Sequence, residues 1–167
     1  MLPASGPGVT CFGFPVDEAA AQALRYIPMS VRFALDQEGV TIALSEWQLL
    51  PLHARRQLVQ ASVAASAADA PDAQDAAAFR ALLDAAMRQH LGKAPARLDV
   101  APDASWREVG ALPAAVLAQY AWAGLAPAAP EAWRRLPPLA RYTLAKMSRK
   151  PRPNEAFRAA LAELRLA

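Results

Sequence analysis

The spacing of apolar residues predicts helices along most of the chain. The strongest pattern precedes Gly92, where five residues recur at the positions of one helix face, i, i+3, i+4, i+7 and i+11. These residues are Phe79, Leu82, Leu83, Ala86 and His90. We predict that they form the buried side of a bridging helix over residues 71–91, which ends at Gly92.

Proline and glycine mark the bounds of an earlier helix. Pro28 stands where the first helical position, N1, tolerates proline, and Gly39 stands where a left-handed residue ends a helix. The next segment, residues 40–44, is the best strand candidate of the chain. The pattern predicts a helix between Pro28 and Gly39, followed by one short β pairing.

Capping patterns predict where two other helices begin. Ser45 and Gln48 have the spacing of a capping box, so we expect a helix that starts at Ser45, is interrupted at Pro51 and then resumes. Asn154 is the predicted N-cap of a last helix over residues 154–165. Its apolar residues are spaced for burial: Phe157, Ala160, Leu161 and Leu164.

The chain contains an internal repeat. A shift of 85 residues, with one extra residue in the second loop, aligns residues of several types in the same order. The aligned pairs include Pro28 with Pro113, Gly39 with Gly124, Glu46 with Glu131, Trp47 with Trp133, and Arg55 with Arg141. We predict two duplicated helix–loop–helix halves, 28–59 and 113–145, that face one another, because a unit of this size cannot bury its own apolar face.

Length and composition then set the fold class. The chain has 167 residues, of which 54% are hydrophobic and 20% charged, and this excludes simple disorder. With 7 glycines and few β-branched residues, a large sheet is not expected. We predict an all-α fold of six to seven helices in one compact domain over residues 17–167, preceded by a flexible N-terminal tail over residues 1–16.

Residues 109–130 carry no charge, which raises the question of a membrane span. A helix from Pro113 to Gly124 would be only about 18 Å long, against a hydrocarbon core of about 30 Å. We therefore expect a buried helix here and no membrane association. The first residues lack the cationic start and long apolar run of a secretory signal, so we expect a cytoplasmic protein.

Charge is distributed unevenly along the chain. The formal net charge is +3, but residues 1–52 are acidic and residues 106–167 are basic. Seven cations and no acid lie within residues 134–152: Arg134, Arg135, Arg141, Lys146, Arg149, Lys150 and Arg152. These residues are our candidate partner-binding face, and the alternative is an ordinary solvated basic face.

No residue pattern predicts catalysis. Cys11 falls in the predicted tail, away from His53 and His90, so a Cys/His nucleophile is not expected. One Cys and two His exclude disulfide frameworks and the usual zinc patterns. Gly6 and Gly8 lack the lysine that follows a phosphate-binding loop. We expect no enzyme activity, no metal and no cofactor.

The repeated Trp and Arg residues have two interpretations each. Trp47 and Trp133 stand one turn before a proline, and we expect each indole to cover a helix joint and to bond a carbonyl that the proline frees. The alternative is an aromatic patch for a partner. Arg55 and Arg141 are expected to form an ion pair between the two halves, with Asp36 or Glu46 and the counterpart Glu131, and the alternative is contact with a ligand.

Two clusters of residues resemble the nitrate reductase associated protein family. The first runs from Leu24 to Phe33 and continues with Leu35, Asp36, Gly39, Val40 and Trp47. The second comprises Trp133, Leu136, Arg141, Tyr142, Leu144, Lys146, Ser148, Arg149, Asn154, Phe157, Ala160, Leu161 and Glu163. The Ala-rich residues 61–78 depart from that pattern. The resemblance implies a small bacterial protein encoded beside assimilatory nitrate reductase genes, and it implies a pathway without an active site.

Two functions of different classes follow. The first is a non-catalytic accessory protein, a monomer or weak dimer, that aids the assembly, cofactor loading or regulation of assimilatory nitrate reductase. Its partner would be the reductase or its maturation machinery. The alternative is a regulatory protein that binds nucleic acid or a small ligand through the basic residues 134–152. Against it, no recognition-helix pattern is present.

Overall fold

The computed structural model describes residues 24–66, 72–99 and 101–166. They form two compact units, the first ending at Pro102 and the second beginning at Asp103. The described residues contain eight α-helices and one two-stranded sheet, which confirms the all-α class. The count exceeds the expected six to seven because each proline joint separates two helices. The predicted tail and Cys11 lie outside the described residues.

The first unit contains four helices and both strands. In chain order these are α1 (Met29–Gln37), β1 (Val40–Thr41), α2 (Leu44–Leu49), α3 (Leu52–Ala65), α4 (Ala73–Leu91) and β2 (Ala96–Arg97). The strands are antiparallel, with Val40 opposite Arg97 and Thr41 opposite Ala96. The predicted strand is confined to two residues, because α2 already begins at Leu44.

The second unit contains a 3₁₀ helix and four α-helices. In chain order these are the 3₁₀ helix Ser105–Arg107, α5 (Ala114–Ala123), α6 (Pro130–Arg135), α7 (Pro138–Met147) and α8 (Glu155–Glu163). α7 packs against the 3₁₀ helix, α5 and α8. It is therefore the central helix of this unit.

Proline and glycine bound the helices in both units. Pro28, Pro51, Pro113 and Pro137 are N-caps with extended backbone, one position earlier than the N1 placement predicted for Pro28. The ring fixes φ near the value that these caps adopt, and the missing N–H would have no helical partner there. Gly39, Gly92 and Gly124 follow α1, α4 and α5 with φ of +63°, +67° and +67°, as predicted for a left-handed helix end.

Corresponding helices begin at nearly constant offsets. α5 begins 85 residues after α1, at Ala114 against Met29, while α6 and α7 begin 86 residues after α2 and α3. The extra residue of the repeat therefore lies between Gly124 and Pro130. This corrects the pairing of Glu46 with Glu131, because Glu46 is the third residue of α2 and Glu131 the second of α6. The duplication itself, and the facing arrangement of the halves, stay predictions.

Several predicted helix ends shift by one or two residues. α2 is capped by Ala43 and not by Ser45; its third residue, Glu46, accepts a hydrogen bond from the Ala43 N–H at 2.7 Å. α4 begins after Asp72, whose carboxylate accepts from the Gln74 N–H at 2.9 Å. The Asn154 cap of α8 is confirmed, with its side-chain oxygen 3.0 Å from the Ala156 N–H.

The core of the first unit lies where α4 and α1 pack on α3. Phe79, Leu83 and Met87 of α4 are fully buried. Leu82 was predicted to share this face but is 38% exposed, because the buried stripe follows Phe79, Leu83 and Met87. His90 is half-buried.

The core of the second unit surrounds α7, in which eight of ten residues are buried. Trp133, Leu144 and Phe157 are fully enclosed. The predicted burial of Phe157, Ala160 and Leu161 in α8 is confirmed, whereas Leu164 is half-buried at the helix end.

α5 differs from the buried helix that its uncharged sequence predicts. Only Val116, Gln119 and Tyr120 are buried, and they lie on one side. Leu117 and Trp122 are exposed on the remainder of the surface. None of the described helices is long and apolar enough to cross a membrane.

Glu46 also joins α2 to the segment after α4. Lys93 forms an ion pair with Glu46. The hydrogen bond from Lys93, together with that from the Ala43 N–H, holds the pKa of the Glu46 carboxyl below its usual value. Because Lys93 is largely exposed, solvent screens the pair and its contribution to stability is small.

Replacing Gly124 tests the left-handed helix end. We expect Gly124→Ala to lower the free energy of unfolding by about 1–2 kcal/mol, because φ of +67° strains a side chain although the space beside it is open. Gly124→Asn should cost less, since asparagine tolerates this conformation. Urea unfolding measures both. Equal losses in the two variants would contradict the backbone explanation.

Glu46→Gln tests the carboxylate link through pH. The folded-state pKa of Glu46 is depressed, so its contribution is fully present above the unfolded pKa of about 4.5 and is lost as the pH falls through the folded value. We expect the wild-type chain to exceed Glu46→Gln in stability at pH 7 and to lose that advantage as the pH falls below about 4.5 and through the lowered folded-state pKa. A difference between the two proteins that is independent of pH would contradict this role.

Candidate protein-docking surface

The predicted basic run divides into two clusters. Arg134 and Arg135 end α6 and form what we call the α6 cluster; Arg149, Lys150 and Arg152 follow α7 and form the loop cluster. All five side chains belong to exposed residues. α7 lies between them along the chain and, with ten residues, spans about 15 Å. A mostly buried helix therefore divides the predicted run along the chain.

Buried Gln119 holds the loop cluster in place. Its side-chain amide donates to the Arg152 carbonyl at 2.7 Å and accepts from the Asn154 N–H at 3.1 Å. The Asn154 side chain in turn donates to the Met147 carbonyl at 3.0 Å. Pro151 and Pro153 further restrict the backbone of this segment. Three cations are thus presented on a segment fixed at both ends.

Arg141 was predicted as part of the docking face, and the structure corrects this. The residue is only 4% exposed. Its guanidinium donates to the main-chain carbonyl of Trp106 at 3.1 Å and to that of Leu136. Arg141 therefore joins α7 to the 3₁₀ helix and to the end of α6, and its charge is not available to a partner.

Lys146 is also held partly by the core. It is half-buried, and its ammonium lies 5.5 Å from the centre of the Tyr142 ring. Tyr142 is buried and packs edge-on against Trp106 at 6.2 Å. A cation over an aromatic ring is attracted to that ring, so the Lys146 ammonium already has a favourable contact within the fold.

Both repeated tryptophans are structural. Trp47 and Trp133 are completely buried, which makes the aromatic-patch alternative wrong. Their indole N–H groups donate to the carbonyls of Leu24 at 2.7 Å and Glu108 at 2.8 Å. Each indole therefore bonds the segment that precedes its unit's first long helix. The prediction that each indole bonds a carbonyl freed by the following proline is therefore wrong.

Arg55 shares the acceptor of Trp47. Its guanidinium Nη1 donates to the Leu24 carbonyl at 2.9 Å. Burial lowers the pKa of Arg55, and its Nε is buried without a hydrogen-bond partner. The expected ion pair with Glu46 is wrong, because Glu46 is paired with Lys93. Arg55 and Arg141 thus both bind main-chain carbonyls.

The structure brings together two histidines that the sequence does not connect. His53 on α3 and His90 on α4 have ring centres 6.0 Å apart in an edge-to-face contact. A protein metal site ordinarily uses three or four ligands. Within residues 24–66, 72–99 and 101–166, no group of three or more His, Cys, Asp or Glu side chains is placed to hold a metal ion. Only the packing of α3 on α4 could have indicated this pair.

Arg141→Gln and Arg135→Gln test which arginine is structural. We expect Arg141→Gln to lose about 3 kcal/mol of unfolding free energy, because buried carbonyls lose their donor. Arg135→Gln, in an exposed residue, should change it by less than about 0.5 kcal/mol. Thermal and urea unfolding compare the two. Similar small effects would mean that the Arg141 hydrogen bonds contribute little.

Comparison with known proteins adds one result to this geometry. Searches of curated proteins and of solved structures gave no match. Residues 11–164 match the family described as conserved nitrate reductase-associated protein. This range includes both units, the loop cluster and the paired Trp and Arg residues. The chain therefore belongs to the conserved nitrate reductase-associated protein family.

Proposed function

We propose that this protein is a non-catalytic accessory protein that binds assimilatory nitrate reductase and aids its assembly, cofactor loading or regulation. The loop cluster is the observation that carries the proposal. It presents Arg149, Lys150 and Arg152 on a segment anchored by Gln119. The family name supports an association with nitrate reductase. The proposed setting is the bacterial cytoplasm.

An anchored cationic segment suits recognition of a protein surface. Ordering a flexible segment on binding costs free energy, and a segment held in advance avoids part of that cost. Exposed cations also attract an acidic partner over distance and orient it during approach. The proposed contact on the reductase, or on its maturation machinery, is therefore an acidic surface.

Binding to purified nitrate reductase from the same organism tests this proposal. The test variant changes Arg149, Lys150 and Arg152 to Glu; the control changes Arg134 and Arg135 to Glu. Lys146 and Arg141 are left unchanged because they contact the core. We expect the test variant to weaken binding roughly tenfold or more and the control to weaken it much less. Both should keep the wild-type melting temperature, since exposed charges contribute little.

Two results would overturn the proposal. One is that the wild-type protein does not bind the reductase at low ionic strength. The other is that the loop variant binds as tightly as wild type. If the wild-type chain instead binds duplex DNA with an affinity that falls steeply with salt, the nucleic-acid alternative replaces the proposal.

A further inference from the structure

The outer side of α5 is an apolar surface with no polar group. Six of its ten residues point away from the buried side of Val116, Gln119 and Tyr120. We call them the α5 outer face: Ala114, Ala115, Leu117, Ala118, Ala121 and Trp122. Leu117 is 40% exposed and Trp122 is 45% exposed. A helix on a protein surface normally carries charged or polar residues on this side, and α5 has none.

The buried side of α5 already attaches the helix to its unit. Val116 is fully buried, and Tyr120 packs edge-on against Phe157 of α8 at 5.4 Å. Gln119 bonds the segment after α7. The outer face takes no part in these contacts, so they do not account for its apolar character.

Two segments that carry cations contact α5 through its buried side and its last residue. Gln119 fixes the backbone of the loop cluster beside α5. At the C-terminal end of α5, the Arg158 guanidinium of α8 donates to the carbonyl of Ala123, the last residue of the helix. Glu155 is the one acidic residue between positions 132 and 162. The chain that contacts α5 here, residues 149–158, therefore carries four cations, Arg149, Lys150, Arg152 and Arg158, against this one acid.

We infer that the α5 outer face and the loop cluster together dock an acidic amphipathic helix of the partner protein. This inference rests on the proposed function and specifies the partner's chemistry. Apolar side chains of the partner helix would cover Leu117 and Trp122, and its carboxylates would meet the loop cluster. Helices that lay an apolar face on an apolar surface use residues spaced at i, i+3, i+4 and i+7, which suits the length of α5.

Charge distinguishes this occupant from a second copy of the chain. In a two-fold dimer the same patch lies on both partners, so both loop clusters enter the interface and neither copy's patch supplies acidic groups to meet them. An acidic helix supplies such groups and gains contacts with the cations.

The test uses two probes and three variants. The probes are purified nitrate reductase and a labelled synthetic helix with Leu at i, i+3, i+4 and i+7 and Glu at the outward positions. A peptide of the same composition in scrambled order is its control. The variants are Leu117→Gln with Trp122→Gln, the triple Glu change in the loop cluster, and Leu82→Gln as the matched control. Leu82 is an equally exposed leucine of the first unit, 38% against 40%.

We expect the wild-type chain to bind the synthetic helix and the reductase but not the scrambled peptide. The α5 double variant should weaken binding of both probes roughly tenfold or more, because buried aromatic contacts dominate such interfaces. The loop variant should bind both probes more weakly, and its affinity should not fall more steeply with salt than that of the wild type. Leu82→Gln should leave the affinity for both probes unchanged. Circular dichroism should show wild-type helicity for every variant.

The contrary outcomes separate this inference from the proposed function. If the α5 double variant binds the reductase as tightly as the wild-type chain, the inference is overturned and the proposed function stands. Binding of the synthetic helix through α5, without any binding of the reductase, supports the surface and overturns the function. If the wild-type chain is a dimer that dissociates in the α5 double variant, the inference is overturned in favour of a second copy. If the wild-type chain binds anionic vesicles and not the synthetic helix, it is overturned in favour of a lipid surface.

Discussion

Hydrogen bonds from buried Trp and Arg side chains to main-chain carbonyls hold the non-helical segments of both units. A buried carbonyl without a donor costs free energy, and the segments before α1 and α5 lie outside any α-helix or strand ladder. In the first unit, Trp47 and Arg55 both donate to the Leu24 carbonyl. In the second, Trp133 donates to Glu108 and Arg141 to Trp106. The short proline-jointed helices are positioned around these contacts.

This constraint also determines which cations can meet a partner. α7 buries Arg141 and half-buries Lys146, so the exposed cations of the run precede and follow this helix along the chain. Those at the C-terminal end are fixed by Gln119 and lie beside α5. The same buried residue thus anchors an apolar helix and a basic segment. One side of α5 is buried in its unit, and the opposite, outer face is the one proposed to contact the partner.

Local signals in the sequence predicted the helices well, and packing across helices was not predictable in the same way. Pro28, Gly39 and Gly124 act through their own backbone preferences, so their roles follow from the residue type. The burial of Arg141 depends on carbonyls up to 35 positions away, and the His53–His90 contact depends on how α3 meets α4. The outer face of α5 was interpreted as buried because an uncharged sequence does not distinguish a core helix from a docking surface.

Hydrogen–deuterium exchange with and without purified nitrate reductase tests the central claim most directly, since it reports where the contact lies. The account predicts slower exchange in residues 114–123 and 149–152 on addition of the reductase, with Arg134 and Arg135 unchanged. Protection confined to the first unit, or no change anywhere in the chain at saturating reductase, would contradict it.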